Sequence, residues 1–115
     1  MNEKNYGSLE ACKRLAEAGI KIETEATYYS IHGDRWKLYR TWETDKFLGK
    51  KLPAPSMAEV WRELPTGTTL YRGDDLSEAF FYQQSRKISK INSNPTDALI
   101  YLKIWTVEQE RKVKG

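Results

Sequence analysis

A short segment bracketed by prolines, residues 53–65, constrains the fold of this chain more than any other feature. Within it Ser56 is followed three residues later by Glu59. This is the spacing of a capping box, in which each side chain satisfies a backbone N–H that the first helical turn leaves free. Pro55 holds the residue before it out of helical space, and Pro65 ends the helix. The sequence therefore predicts a short central helix, whose inward stripe is Met57, Val60, Trp61 and Leu64.

The length and composition fit one small domain. The 115 residues can bury one core but are few for two. With 39% hydrophobic and 30% charged residues, the chain lies near the globular average, so disorder along its whole length is not expected. We expect a single α+β domain over residues 1–115, with frayed ends at about 1–7 and 111–115.

The cysteine content and the distribution of apolar residues indicate a cytoplasmic protein. No apolar stretch approaches the length of a membrane-spanning helix, and the first six residues lack the apolar part of a signal peptide. Cys12 is the single cysteine, so an internal disulfide is excluded. We therefore predict a cytoplasmic protein that does not contact a membrane, with Cys12 as a buried thiol.

The first half of the chain predicts a helix followed by a β-hairpin. The helix begins after Ser8 and stops at Gly19, with an apolar stripe of Leu9, Cys12, Leu15 and Ala16. Residues 27–31 and 36–42 resemble strands joined by a turn, and alternation places Trp36, Leu38 and Trp42 inward. Residues 43–55 predict a long connection, pinned to the body by Phe47, Leu48 and Leu52.

The second half predicts strands and a final helix. Residues 68–72 and 79–84 favour strands, and the second of these could continue to residue 88 or 91. A three-stranded meander is nearly as well supported here as a simple hairpin. Asn94 as cap and Pro95 at the first helical position begin a helix that runs to about Glu110. The predicted fold is therefore α+β, in the order α-β-β-α-β-β(-β)-α, with three helices packed on one antiparallel sheet of four or five strands.

Three segments, residues 8–20, 55–65 and 94–99, carry a resemblance to known proteins. The second has a Pro-Ser start, a central Trp and a closing Leu-Pro, and the third is Asn-Pro-Thr-Asp-Ala-Leu. These segments resemble small proteins encoded by phages and prophages, chiefly of Bacteroides-type gut bacteria. The resemblance implies a phage or bacterial origin and a cytoplasmic location, and it assigns neither an activity nor functional residues.

The sequence carries none of the usual signatures of a catalytic or cofactor site. There is no glycine-rich phosphate loop, and a lone His32 with a lone Cys12 cannot form a zinc site unaided. Asp74, Asp75 and Glu78 cluster near one predicted loop, where Asp commonly bonds the nearby backbone instead. We therefore expect no metal or cofactor and favour a non-enzymatic protein, with these carboxylates as the remaining catalytic candidates.

The distribution of charge supports one hypothesis of function. Residues 86–115 carry seven Lys/Arg and three Asp/Glu, whereas the rest of the chain carries twelve and thirteen. Cations beside aromatic side chains are typical of proteins that bind single-stranded nucleic acid, and Tyr29 or Tyr39 could add such a platform on a sheet face. The hypothesis is weak nucleic-acid binding, and its candidate residues are Arg86, Lys87, Lys90 and Tyr82.

Protein contacts are the favoured hypothesis. The chain has four Trp, seven Tyr and three Phe, more than one small core readily buries. Exposed aromatic residues commonly mark protein interfaces. We therefore expect a non-enzymatic phage or prophage protein that acts through protein–protein contacts, with another protein or a second copy of itself as the partner.

Overall fold

The structure, a computed structural model, describes residues 5–114 and has the predicted α+β class. The described chain contains three α-helices, which are α1 (Leu9–Glu17), α2 (Met57–Arg62) and α3 (Pro95–Lys114). Its strands are β1 (Ala26–Ser30), β2 (Lys37–Arg40), β3 (Lys50–Ala54), β4 (Thr69–Arg72), β5 (Ser77–Gln83) and β6 (Arg86–Asn92). A 3-10 helix, Thr41–Thr44, follows β2.

The strands form two antiparallel sheets, so the prediction of one sheet with four or five strands is wrong. The first sheet has the order β2-β1-β3 and the second has the order β4-β5-β6. The missed strand is β3, which lies within residues 43–55, where a connection is predicted. Because β3 is an edge strand paired only with β1, it tolerates Pro53, a residue that argues against a central strand.

Four apolar residues expected to face the core are exposed instead, namely Ala16, Trp42, Leu48 and Trp61. Trp42 is 69% exposed and Leu48 is 88% exposed. The 3-10 helix begins at Thr41, so the two-residue alternation of β2 no longer applies at Trp42. Trp36 and Leu38, predicted inward with it, do pack against the core.

The core consists of two clusters that meet at α1. The larger cluster lies between α1, α2, α3 and the inner side of the second sheet, and it includes Leu15 of α1 and the fully buried Leu99 of α3. The smaller cluster lies under the first sheet and includes Cys12 of α1 and Tyr28 of β1. Because α1 contributes side chains to both clusters, it holds the first sheet to the rest of the molecule.

The helix caps predicted from the sequence are present. The Ser56 hydroxyl accepts a hydrogen bond from Glu59 N–H at 3.2 Å, and the Glu59 carboxylate accepts one from Ser56 N–H at 2.8 Å. The second oxygen of Glu59 accepts from Glu25 N–H at 3.0 Å, which ties α2 to the segment before β1. At the start of α3, Asn94 Oδ1 accepts from Thr96 N–H at 2.9 Å.

The described parts of the two ends predicted to fray are residues 5–7 and 111–114. Gly7 N–H donates to the Pro55 carbonyl at 2.9 Å, and the Tyr28 hydroxyl donates to the Gly7 carbonyl at 3.0 Å. At the other end, α3 runs four residues past its predicted end near Glu110, and residues 111–113 are exposed. Residues 1–4 and 115, which belong to the ends predicted to fray, lie outside the described residues.

The turn between β5 and β6 offers a direct test of backbone strain. Gln84 and Ser85 join the strands with φ of 53° and 66°, the positive values that a type I′ turn requires and that Asn-Gly adopts best. We expect the double substitution Gln84→Asn/Ser85→Gly to raise the free energy of unfolding by about 1 kcal/mol, because it relieves left-handed strain. Urea denaturation measures the change, and an unchanged or lower stability would contradict the assigned turn.

Candidate interaction surfaces

The second sheet has a helix-covered inner face and an uncovered outer face. Ala79, Phe81 and Ile88 point inward into the larger core cluster. Because directly paired residues share a face, the strand register assigns the alternate residues to the other side. The outer face of the second sheet consists of Thr69, Tyr71, Glu78, Phe80, Tyr82, Lys87, Ser89 and Ile91.

This outer face is rich in exposed apolar surface. Tyr71, Tyr82 and Ile91 are 64%, 66% and 60% exposed, and Leu76 in the adjoining connection is 55% exposed. Phe80 lies among them, with its ring centroid 6.0 Å from that of Tyr82. These side chains belong to all three strands, so they form one surface rather than scattered residues.

The charges on the outer face of the second sheet are balanced. Lys87 Nζ lies 3.2 Å from a carboxylate oxygen of Glu78. The same Nζ lies 4.5 Å from the centroid of the Phe80 ring, within the range of a cation–π contact. The positive charge of Lys87 therefore already has two partners within the chain.

The structure does not bring together the four residues proposed for nucleic-acid binding. Lys87 is paired directly with Tyr82, and both lie on the outer face of the second sheet. Arg86 and Lys90 are paired with Gln83 and Ala79, so alternation along β6 directs them to the opposite side. Lys90 instead lines a cleft between α1 and α3. The second sheet thus separates Lys87 and Tyr82 on one side from Arg86 and Lys90 on the other.

The first sheet has its own outer face, formed by Thr27, Tyr29, Lys37, Tyr39, Lys51 and Pro53. Phe47, from the connection before β3, packs on this face with its ring centroid 4.7 Å from that of Tyr29 and 5.4 Å from that of Tyr39. The sequence analysis named the two tyrosines as a possible aromatic platform but did not name the lysines beside them. The charge of this segment could have indicated them, since residues 26–54 carry six Lys/Arg and three Asp/Glu.

The catalytic candidates do not form a recognisable active site. Asp74, Asp75 and Glu78 border a shallow depression of about 440 Å³, and Glu78 is paired with Lys87. His32 is exposed in the hairpin turn, away from the buried Cys12. Within residues 5–114, no group of three or more His, Cys, Asp and Glu side chains is close enough to hold a metal ion.

Asp97 and Cys12 form a buried titratable cluster near the start of α1. Asp97 Oδ1 accepts a hydrogen bond from Ser8 N–H at 2.7 Å. Burial raises the pKa of Asp97, and the hydrogen bonds from Ser8 offset only part of that rise. Burial, with a further contribution from the Asp97 charge, raises the pKa of Cys12 to about 12. A thiol with so high a pKa is almost wholly protonated at neutral pH, and the thiolate is the reactive form.

The raised pKa of Asp97 predicts how stability depends on pH. Since the folded state holds this proton more tightly than the unfolded state, the contribution of Asp97 to stability falls as pH rises from the unfolded pKa through the folded one. Asp97→Asn keeps an acceptor for Ser8 N–H and removes the titration. We therefore expect the stability of the variant relative to the natural chain to rise between acidic and neutral pH. Urea denaturation at several pH values measures this difference, and a constant difference would contradict the prediction.

No protein-family model, curated protein or solved structure matches this chain. None of the helices in the described residues is long and apolar enough to cross a membrane.

Proposed function

We propose that this chain is a non-enzymatic phage or prophage protein of the cytoplasm that acts through protein contacts, pairing with a second copy through the outer face of the second sheet. The observation that carries the proposal is the exposure of Tyr71, Tyr82 and Ile91 together on that face. Soluble monomers rarely leave large contiguous apolar patches in solvent. The phage origin and the location rest on the resemblance of residues 8–20, 55–65 and 94–99 to small phage proteins.

The chemistry of this face favours a second copy over a strongly charged partner. Aromatic and apolar side chains predominate, as in homodimer interfaces, and one cation is balanced by one anion. A two-fold axis places the same patch on both sides of the interface. Under that symmetry Lys87 can exchange its partner for Glu78 of the second copy, so that neither charge is left unpaired.

Analytical ultracentrifugation tests the proposal. We expect the mass of the natural chain to rise from 13.4 kDa toward twice that value as protein concentration increases. Tyr71→Ser combined with Tyr82→Ser removes two aromatic rings from the face and should leave a monomer at concentrations where the natural chain pairs. Trp42→Ser is the matched control, because Trp42 is as exposed as these tyrosines but lies in the 3-10 helix after β2, outside the second sheet. This variant should pair normally.

Two results would overturn the proposal. One is a natural chain that stays monomeric at every concentration. The other is a Trp42→Ser variant that loses pairing while the double tyrosine variant keeps it. The alternative of weak nucleic-acid binding through Arg86, Lys87, Lys90 and Tyr82 stays a prediction, and the separation of these residues onto two sides of the sheet argues against it.

A further inference from the structure

The outer face of the first sheet combines fixed aromatic rings with cations that form no ion pair with any described residue. We propose that this face binds single-stranded nucleic acid, with bases against Tyr29 and Tyr39 and phosphates beside Lys37, Lys51 and Arg35. This second site is independent of the pairing through the second sheet. It also shares no residue with the nucleic-acid-binding candidates predicted from the sequence, which are Arg86, Lys87, Lys90 and Tyr82.

The aromatic part of the site is held in place before any ligand arrives. The Tyr29 hydroxyl donates to the Leu48 carbonyl at 2.6 Å, which fixes the ring over β1. The rings of Tyr29 and Tyr39 meet edge to face, with centroids 6.1 Å apart. Phe47 packs against both rings, and both tyrosines are half-buried, so the surface left for a base is the part of each ring that Phe47 does not cover. Rings held in this way can stack on bases without losing further side-chain freedom.

The cations surround these rings on both sides. Lys37 and Lys51 are each paired directly with Tyr29 across the sheet, and both are exposed. The ion pairs found in the described part of the chain join Arg14 to Glu10 and Lys87 to Glu78, so the lysines of the first sheet remain free. This free positive charge distinguishes the outer face of the first sheet from that of the second, where Lys87 is paired with Glu78.

A groove beside the rings supplies the space for a ligand. It has a volume of about 420 Å³ and lies at the end of the sheet where β1 and β2 join. Tyr29, Tyr39, Lys37 and Arg35 line it, with Asp34 contributing a carboxylate. Two rings and two cations in one groove match the two parts of a nucleotide, the base and the phosphate.

The geometry favours unpaired bases over a duplex. Stacking on a protein ring requires a base whose face is free, and the bases of a duplex are stacked on each other. An acidic peptide could satisfy the lysines, but it offers nothing that stacks on the tyrosines. The shared chemistry of single-stranded DNA and RNA is therefore the ligand class, and the experiment separates the two.

Fluorescence anisotropy with the full chain tests the site, using labelled oligo(dT) and oligo(U) of about 12 nucleotides. Lys37→Gln combined with Lys51→Gln removes two exposed charges that form no ion pair within residues 5–114. We expect this variant to bind about tenfold more weakly at low salt, and the slope of log affinity against log salt to become shallower by about 1.4. Tyr39→Leu keeps the apolar bulk and removes the ring, and we expect a weakening of at least about fivefold.

The matched control is Arg86→Gln combined with Lys90→Gln, which removes two cations of β6 that lie off the outer face of the second sheet and should leave oligonucleotide binding unchanged. Tighter binding of oligo(U) than of oligo(dT) would identify RNA as the preferred ligand, and equal binding would indicate contacts common to both. The proposal is overturned if neither oligonucleotide binds at low salt, if the control pair weakens binding as much as Lys37 and Lys51 do, or if polyglutamate displaces the oligonucleotide at equal charge. The Tyr71→Ser/Tyr82→Ser variant should lose pairing but bind the oligonucleotides normally. Failure of the pairing proposal can therefore be distinguished from failure of the nucleic-acid proposal.

Discussion

Gly49→Ala is expected to lower the free energy of unfolding by about 3 kcal/mol by disrupting the pairing of β3 with β1. Gly49 precedes β3 with φ of +149°, a conformation that residues with a side chain rarely adopt. A Cβ there would lie 2.8 Å from the Ser30 carbonyl oxygen and 3.1 Å from the Ile31 Cα. Both are backbone atoms, so they cannot move aside as the tip of a flexible side chain can.

Gly67→Ala serves as the control for this substitution. Gly67 also has a positive φ, +92°, but apart from Gly67 and its two neighbours no heavy atom of the described residues lies within 4 Å of the position its Cβ would take. The control therefore measures backbone strain without a clash, and we expect it to cost about 1 kcal/mol. Urea denaturation of both variants gives the comparison. A loss for Gly49→Ala that does not exceed the loss for Gly67→Ala would contradict the close approach of β3 to β1.

The Cys12 thiol is expected to react with a thiol reagent at least about a thousandfold more slowly in the folded protein than in the unfolded chain. Burial and Asp97 raise its pKa from 9.0 to about 12, which lowers the thiolate fraction at mildly alkaline pH by that factor. The side chain is also 1% exposed, so the reagent cannot reach the sulfur. Reaction must then await movement of α1 away from the two core clusters that it joins.

A disulfide reagent that releases a coloured thiol when it reacts with Cys12 measures this rate by absorbance, with and without denaturant. Full and rapid reaction in denaturant is the control that the thiol is intact. Native reactivity within about tenfold of the unfolded value would contradict the burial of Cys12 and the place of α1 between the two sheets.

The sequence predicted features whose causes are local. The helix caps formed by Ser56 with Glu59 and by Asn94 before Pro95 involve residues within three or four positions of each other. Their spacing in the sequence is therefore enough to predict them. β3 could not be found in this way, because its stability comes from pairing with a strand about twenty residues earlier and its own sequence is poor in strand-forming residues. The division into two sheets likewise depends on which strands pair. Alternation of apolar and polar residues indicates a strand but does not identify the strand with which it pairs.

The candidate surfaces show the same limit. Excess aromatic residues correctly indicated exposed rings, but Arg86, Lys87 and Lys90 were grouped because they are close in sequence. Alternation along β6 directs adjacent residues to opposite sides, so Lys87 lies on the other side of the sheet from Arg86 and Lys90. The first sheet shows the converse, since Lys37 and Lys51 are far apart in sequence and meet across the one residue, Tyr29, that pairs with both.

The concentration dependence of NMR chemical shifts tests the central claim, pairing through the outer face of the second sheet, most directly. On passing from dilute to concentrated protein, we expect the largest shift changes at Tyr71, Tyr82 and Ile91, which would lie in the interface. Residues of the first sheet, including the exposed Trp42, should change little. Spectra independent of concentration, or changes centred on Trp42 and the first sheet, would contradict the claim.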